Sequence, residues 1–311
     1  MTSVVELRLT AKPAMADALP VARALPRRER RFVGPFCFLD HFGPHAEVGR
    51  ADGGVAPHPH IGLATVTYLF DGAILHRDSL GTAQRIAPGD VNWMTAGRGI
   101  VHSERTPPEL VGARYTTHGL QIWVALPQAH EDDPPAFQHA PGASLPTIDL
   151  PGARLRVLLG AWDGATSPVR VWSPLTYVIA ELAVGARLDV PAFQPERALY
   201  VVDGDLAIDG EPAPLASHEL AVLAPEAPAT LHARADAGRA VRRRAARRPA
   251  VPVVELRGQL EGPPRPGAPR LDRPALPDHR GRRRLHRVPW RVTHARATHA
   301  GCASRACWDA R

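Results

Sequence analysis

The sequence predicts an all-β chain made of two tandem antiparallel barrels, followed by a C-terminal tail without regular structure. Three observations carry this. In 311 residues, 33 prolines and 26 glycines cut the chain into short pieces, which suits strands and turns better than long helices. The apolar pieces between them are about strand length and end in Gly, Pro or Asp, as in antiparallel sheet. Finally, "TVTYLFDGAILHRD" is echoed far downstream by "ALYVVDGDLAIDG", each an apolar strand, Asp-Gly and a returning strand. A duplicated barrel is the economical explanation.

Taken in order, "SVVELRLT" opens the chain as a strand that is free to pair with the second barrel, and an alanine-rich stretch and the basic "PRRERR" follow. From Phe32 the texture is strand and turn: "TVTYLFDG", "AILHRDSLG", "AQRIAPGDVNWMTAG", "HGLQIWVALP". Residues 127–146, polar and proline-rich, read as the joint between domains. A second strand-rich block then runs through "ARLRVLLGAW", "TYVIAELAVGARLDVP", "RALYVVDGDLAIDG" and "HELAVLAP". Asp71-Gly72 and Asp203-Gly204 suit tight hairpins, because glycine accepts positive φ. The expected division is an N-terminal domain over 1–130, a second over 131–240 and a tail over 241–311.

Formal net charge is +7, but it is unevenly placed. Residues 241–311 carry 18 arginines, no lysine and five acidic residues, whereas residues 1–240 carry 20 basic and 26 acidic residues. The body is acidic. The tail lacks apolar periodicity and interleaved aromatics, so disorder is expected there and direct nucleic-acid binding is not. Three cysteines, Cys37, Cys302 and Cys307, make neither a disulfide framework nor a metal cluster. The N-terminus has no basic region followed by an apolar core, and no apolar run reaches membrane-spanning length. The expectation is a soluble cytoplasmic monomer with no membrane contact.

The chemistry concentrates in "APHPHIGLATVTYLFDG", residues 56–72. Alternate side chains of a strand share a face, so His58 and His60 project together, while Pro59 keeps the segment extended and offers no N–H to a neighbour. "GRGIVHSE" repeats the device with His102 and Glu104. On neighbouring strands the two pairs would aim three imidazoles and one carboxylate at one point, a donor set for a divalent metal with open positions. Iron suits oxygen chemistry; zinc, nickel and manganese also accept these ligands. Gly53, Gly54, Gly62, Gly97 and Gly99 flank the pairs and permit close turns. His76 reads equally as a turn, surface or supporting residue, His41 and His45 as a solvated loop or the mouth of the site, and Asp40 and Asp90 as turn or strand-end residues.

With these residues in view, "RFVGPFCFLDHFGP", "HPHIGLATVTYLFDGAILHRDSLGT", "IAPGDVNWMTAGRGIVHSE" and "GLQIWVALP" resemble the first cupin (jelly-roll) barrel of the pirin family. The second block resembles that family's second barrel, and the likeness spans about residues 4–240. The resemblance implies a bicupin whose N-terminal barrel binds one mononuclear Fe(II) through His58, His60, His102 and Glu104. The usual cupin glutamate position falls near Thr65, so Glu104 supplies the carboxylate. In the second barrel "DVPAFQPERALY" replaces a His-x-His pair, and no metal is expected there. Two functions follow from the family. One is a quercetin 2,3-dioxygenase, opening a flavonol-like ring with O₂, with Glu104 as its catalytic base if it loosens from the metal and otherwise a structural ligand, and with Phe38, Phe42 and Met94 as apolar walls or ordinary core residues. The other is a non-catalytic iron-binding regulator or redox sensor that binds a transcription factor or metabolic enzyme.

The tail departs from the family, whose second domain ends in a strand, a Trp-Asn-Phe-Val segment and an amphipathic helix. A shifted reading frame would explain it. "VPVVELRGQLEGPP" can be encoded so that reading one base later gives Tyr-Arg-Leu-Trp-Asn-Phe-Val and a helix-like continuation. Out-of-frame reading of GC-rich DNA also favours Arg and Pro codons. On this reading the charge of the tail says nothing about partners.

Overall fold

A computed structural model describes residues 3–192, 195–234 and 250–258. These form an all-β fold of extensive antiparallel sheets, interrupted by three short 3-10 turns. One seven-stranded sheet lies in the N-terminal half, with the order Ala136–Ala140, Val91–Thr95, Leu63–Asp71, Arg114–Ala125, Phe36–Val48, Leu19–Leu25, Lys12–Ala16. A four-stranded sheet of Gly54–His60, Ile100–Arg105, Ile74–Asp78 and Ala83–Ile86 covers one of its faces. The C-terminal half holds a second seven-stranded sheet and a three-stranded one, Arg187–Val190, Ala229–Arg234 and Asp205–Ile208. The strand Val5–Thr10 crosses to this half and pairs antiparallel with Glu219–Leu223.

Period-two alternation builds the layers. From Leu63–Asp71, the side chains of Ala64, Val66 and Tyr68 join Leu120, Ile122 and Val124 in a core shared with Tyr177, Ile179 and Tyr200 of the C-terminal sheet. The alternate residues Thr65, Thr67, Gln121 and Trp123 therefore face the four-stranded sheet. Two apolar plugs close that second interior: Val21, Phe42, Leu69 and Ile86 form one, and Met94, Ala96 and Ile100 the other. The polar cluster lies between them. In the C-terminal half the matching interior is filled by Leu155, Val157, Val178, Leu199, Leu206 and Leu231.

Two expectations change. Asp71-Gly72 and Asp203-Gly204 do not close hairpins. Leu63–Asp71 and Ile74–Asp78 belong to different sheets, as do Glu196–Val201 and Asp205–Ile208. The glycines do take positive φ, 82° and 84°, and each aspartate accepts the next N–H, at 2.8 and 3.0 Å. The turn is tight as read, but the strands leave it at an angle, so each Asp-Gly makes a corner between sheets. The second change concerns the tail. Ala250–Gly258 forms a strand between Leu175–Ala183 and Glu196–Val201. A run rich in β-branched residues, "VPVVEL", is adequate for a strand where two edges stand open. Residues 241–249 and 259–311, with Cys302 and Cys307, lie outside the described residues.

Candidate metal centre

The strands that carry the histidine pairs are neighbours. His102 lies opposite His58, and Ile100 opposite His60, across an antiparallel ladder with an irregularity between His102 and Glu104. Pro59 and Val101 point outward to solvent, so His58, His60 and His102 point in. Gly54, Gly62, Gly97 and Gly99 have positive φ and Gly53 does not. Gly54 bears on the ligand strands directly, since a Cβ there would collide with the Glu104 carbonyl oxygen. A side chain at 54 would push the two ligand-bearing strands apart.

Ring nitrogens of His58, His60 and His102 converge within 4.8 Å of one another. His58 Nδ1 donates to the Ala56 carbonyl oxygen at 2.8 Å, which leaves the lone pair on Nε2. That atom faces His102 Nε2 at 3.1 Å. Burial, followed by the neighbouring imidazoles, pushes His60 and His102 down to about 3. One divalent ion would take a lone pair from each of the three converging rings. The donor set fits a metal.

Glu104 is buried beside the cluster but outside that 4.8 Å group. The Thr67 hydroxyl sits 2.9 Å from Glu104 Oε1 and 2.9 Å from the Gln121 side-chain oxygen. Thr65, on the same face two residues earlier, is a buried neutral residue. A cavity of about 520 Å³ opens beside His58 and Glu104, with Phe38, Phe42, Trp123 and Tyr115 among its walls. Phe38 and Trp123 stack at 4.1 Å, Trp123 meets His60 edge-on, and Arg23 lies over Phe38. Asp40 also lines the cavity, held by a two-point pair with Arg23 at 2.7 Å. Burial raises its carboxyl against the pull of that guanidinium.

The structure sorts the remaining candidates. His45 lines the cavity. His41 faces away from it, into the junction of the two halves, where it bonds Tyr200 and His118. Met94 is no wall of the cavity; it packs with Ala96 and Ile100. Asp90 accepts from the Ala87 and Gly142 N–H groups, a turn role. Cys37 is buried and its thiol is pushed up to about 12 by burial, which makes it inert. Trp123, Thr67 and Gln121 had no signal in sequence beyond their place on an inward-facing strand side.

A family model described as Pirin matches residues 18–124. A pirin-like protein of Caulobacter vibrioides is 48% identical over 213 residues, covering 66% of this chain and 71% of the relative. Human pirin is 33% identical over 207 residues, covering 65% and 68%. Among solved structures, a quercetin 2,3-dioxygenase from Acinetobacter baumannii superposes with a TM-score of 0.69 at 32% identity, covering 82% of this chain and 79% of that one. The chain belongs to the pirin family, in the cupin superfamily.

Proposed function

We propose that this member of the pirin family is an Fe(II)-dependent dioxygenase for a flavonol-like phenol, a quercetin 2,3-dioxygenase, built as two tandem cupin barrels with the metal in the first. His58, His60, His102 and Glu104 would hold the ion. The observation that carries the reading is the cavity of about 520 Å³ that opens beside His58 and Glu104 with aromatic walls. That volume suits a three-ring phenol. The relative from Acinetobacter named for this activity adds support.

Bound iron would supply Lewis-acid and one-electron chemistry toward the phenol and O₂. The chain's own part is separate. Phe38 and Trp123 present ring faces against which a flat substrate can lie. Thr67 holds Glu104 Oε1, so the other oxygen would ligate the ion or, once released from it, take the hydroxyl proton of the substrate. The apolar plugs on either side of the cluster leave the cavity as the way in, and a substrate filling it would displace bulk water from the reacting centre. The same reading makes the protein a cytoplasmic monomer whose partners are the phenol and O₂.

Metal analysis of anaerobically purified protein, followed by oxygen uptake with quercetin, tests this. Stoichiometric iron and quercetin-dependent uptake are expected. His58→Ala should lose the metal with its fold intact; unchanged metal content would defeat the ligand assignment. Iron retained without uptake would replace the enzyme by the regulatory, iron-binding protein.

A further inference from the structure

The strand Ile74–Asp78 flanks Ile100–Arg105 on the side away from Gly54–His60. It brings His76 and Asp78 behind the imidazole cluster, where neither lines the cavity and neither belongs to the converging group. Both side chains are buried, to 4% and 0% exposure. His76 Nε2 lies 3.0 Å from Asp78 Oδ2, and His76 Nδ1 lies 3.4 Å from His102 Nδ1, a long hydrogen bond. Phe137, from the segment joining the two halves, stacks on the His76 ring at 4.5 Å and 26°. Two different groups thus fix that ring, one at its edge and one on its face.

The protons along this chain can be assigned one at a time. Both carboxyl oxygens of Asp78 act as acceptors: Oδ1 takes the Leu80 and Thr82 N–H groups at 2.9 and 3.1 Å, and Oδ2 faces His76 Nε2 at 3.0 Å. A carboxylate only accepts, so His76 carries its proton on Nε2. With that proton on Nε2, Nδ1 is the ring atom left to accept. His102 can donate to it from its own Nδ1, which leaves the His102 lone pair on Nε2, the atom that faces His58; this competes with donation from His102 Nε2 to His58 Nε2 at 3.1 Å, an arrangement closed once an ion takes both lone pairs. With the opposite tautomer, His102 would present an N–H to the site and could not be a ligand.

We propose that His76, anchored by Asp78 and clamped by Phe137, is the positioning residue that holds His102 in the Nδ1–H tautomer and keeps its Nε2 lone pair on the metal. This rests on the metal reading above. It adds an imidazole between ligand and carboxylate, where metal-bound histidines commonly have the carboxylate alone.

Two measurements test it. Long-range ¹⁵N correlation spectra of the metal-free protein should show His76 as Nε2–H and His102 as Nδ1–H; His102 found as Nε2–H would overturn the proposal without any metal present. The second is Co²⁺ affinity, read by competition with a chelator. His76→Leu fills the space without the hydrogen bonds and should bind Co²⁺ 10- to 100-fold more weakly. His76→Gln, whose amide can accept from His102 and donate to Asp78, should stay within a few-fold of wild type. Equal affinity for His76→Leu and wild type, or equal losses for Leu and Gln, would overturn the proposal. If wild type bound no Co²⁺, the metal reading would fail instead, and the spectra would still judge the tautomers.

Discussion

The carboxylate at 104 is where a single side chain has most to decide. Glu104 stands beside three convergent imidazoles, yet its oxygen is engaged by Thr67 rather than directed with them. As fourth ligand it would bring the negative charge that the imidazoles lack. Glu104→Gln keeps the shape and an acceptor for Thr67 but removes that charge. The variant should bind Fe(II) or Co²⁺ at least tenfold more weakly, with the melting temperature of the metal-free protein within a few degrees of wild type; unchanged affinity in a metal titration would remove Glu104 from the ligand set. The histidine pairs were legible in sequence because their spacing is local, two residues apart on a strand. Trp123, Thr67 and Asp78 were not, and for His76 a supporting role was only one of the readings its strand allowed. Each meets the site through a neighbouring strand, and pairing register is not written in any one strand.

For the elements, strand content could be read from composition and turns, but sheet membership could not. An Asp-Gly pair fixes a sharp reversal, while the twist of the departing strands decides whether it is a hairpin or a corner. Both copies made the same choice, which is why the internal repeat survived as a signal. Ala250–Gly258 is the strand that sequence texture missed, because its Arg- and Pro-rich surroundings mask it. It sits inside a seven-stranded sheet with Pro252 opposite Glu181, and proline brings no N–H to that ladder. Such a local conflict is what a shifted reading frame would leave behind, and the nucleotide sequence decides that point. The slot itself matters in either frame. A chain ending at residue 249 would leave Leu175–Ala183 and Glu196–Val201 with facing open edges. It should melt at lower temperature and scatter light on standing at micromolar concentration. A truncated chain that melted with wild type and stayed monodisperse would show that the strand contributes nothing to the sheet.

At the scale of the whole molecule, the junction of the two seven-stranded sheets, largely apolar among the described residues, holds a polar island around His41. His41 bonds Tyr200 at 3.0 Å and His118 at 2.8 Å, and stacks on His218 at 4.6 Å. Burial, then the charges of His218, His118 and His45, push His41 down to about 2. His118 is lowered as well, by burial first, although Asp203 and Asp71 pull the other way. These rings stay neutral in the folded state at pH values where the unfolded chain, titrating near 6.5, has protonated them. The unfolded state then binds more protons, so stability rises with pH in that window and falls as pH drops below about 6.5. In metal-free protein His60 and His102, at about 3, add to the same trend. Each ring that stays neutral contributes roughly 1.4 kcal/mol per pH unit once pH is well under 6.5. Urea unfolding of metal-free protein at pH 7, 6 and 5, above the carboxylate range, should therefore show stability falling with acid. His41→Gln removes one titrating ring and should flatten the slope by about one proton. A wild-type profile that is flat or rises toward pH 5 would mean that the junction admits water and its histidines charge freely.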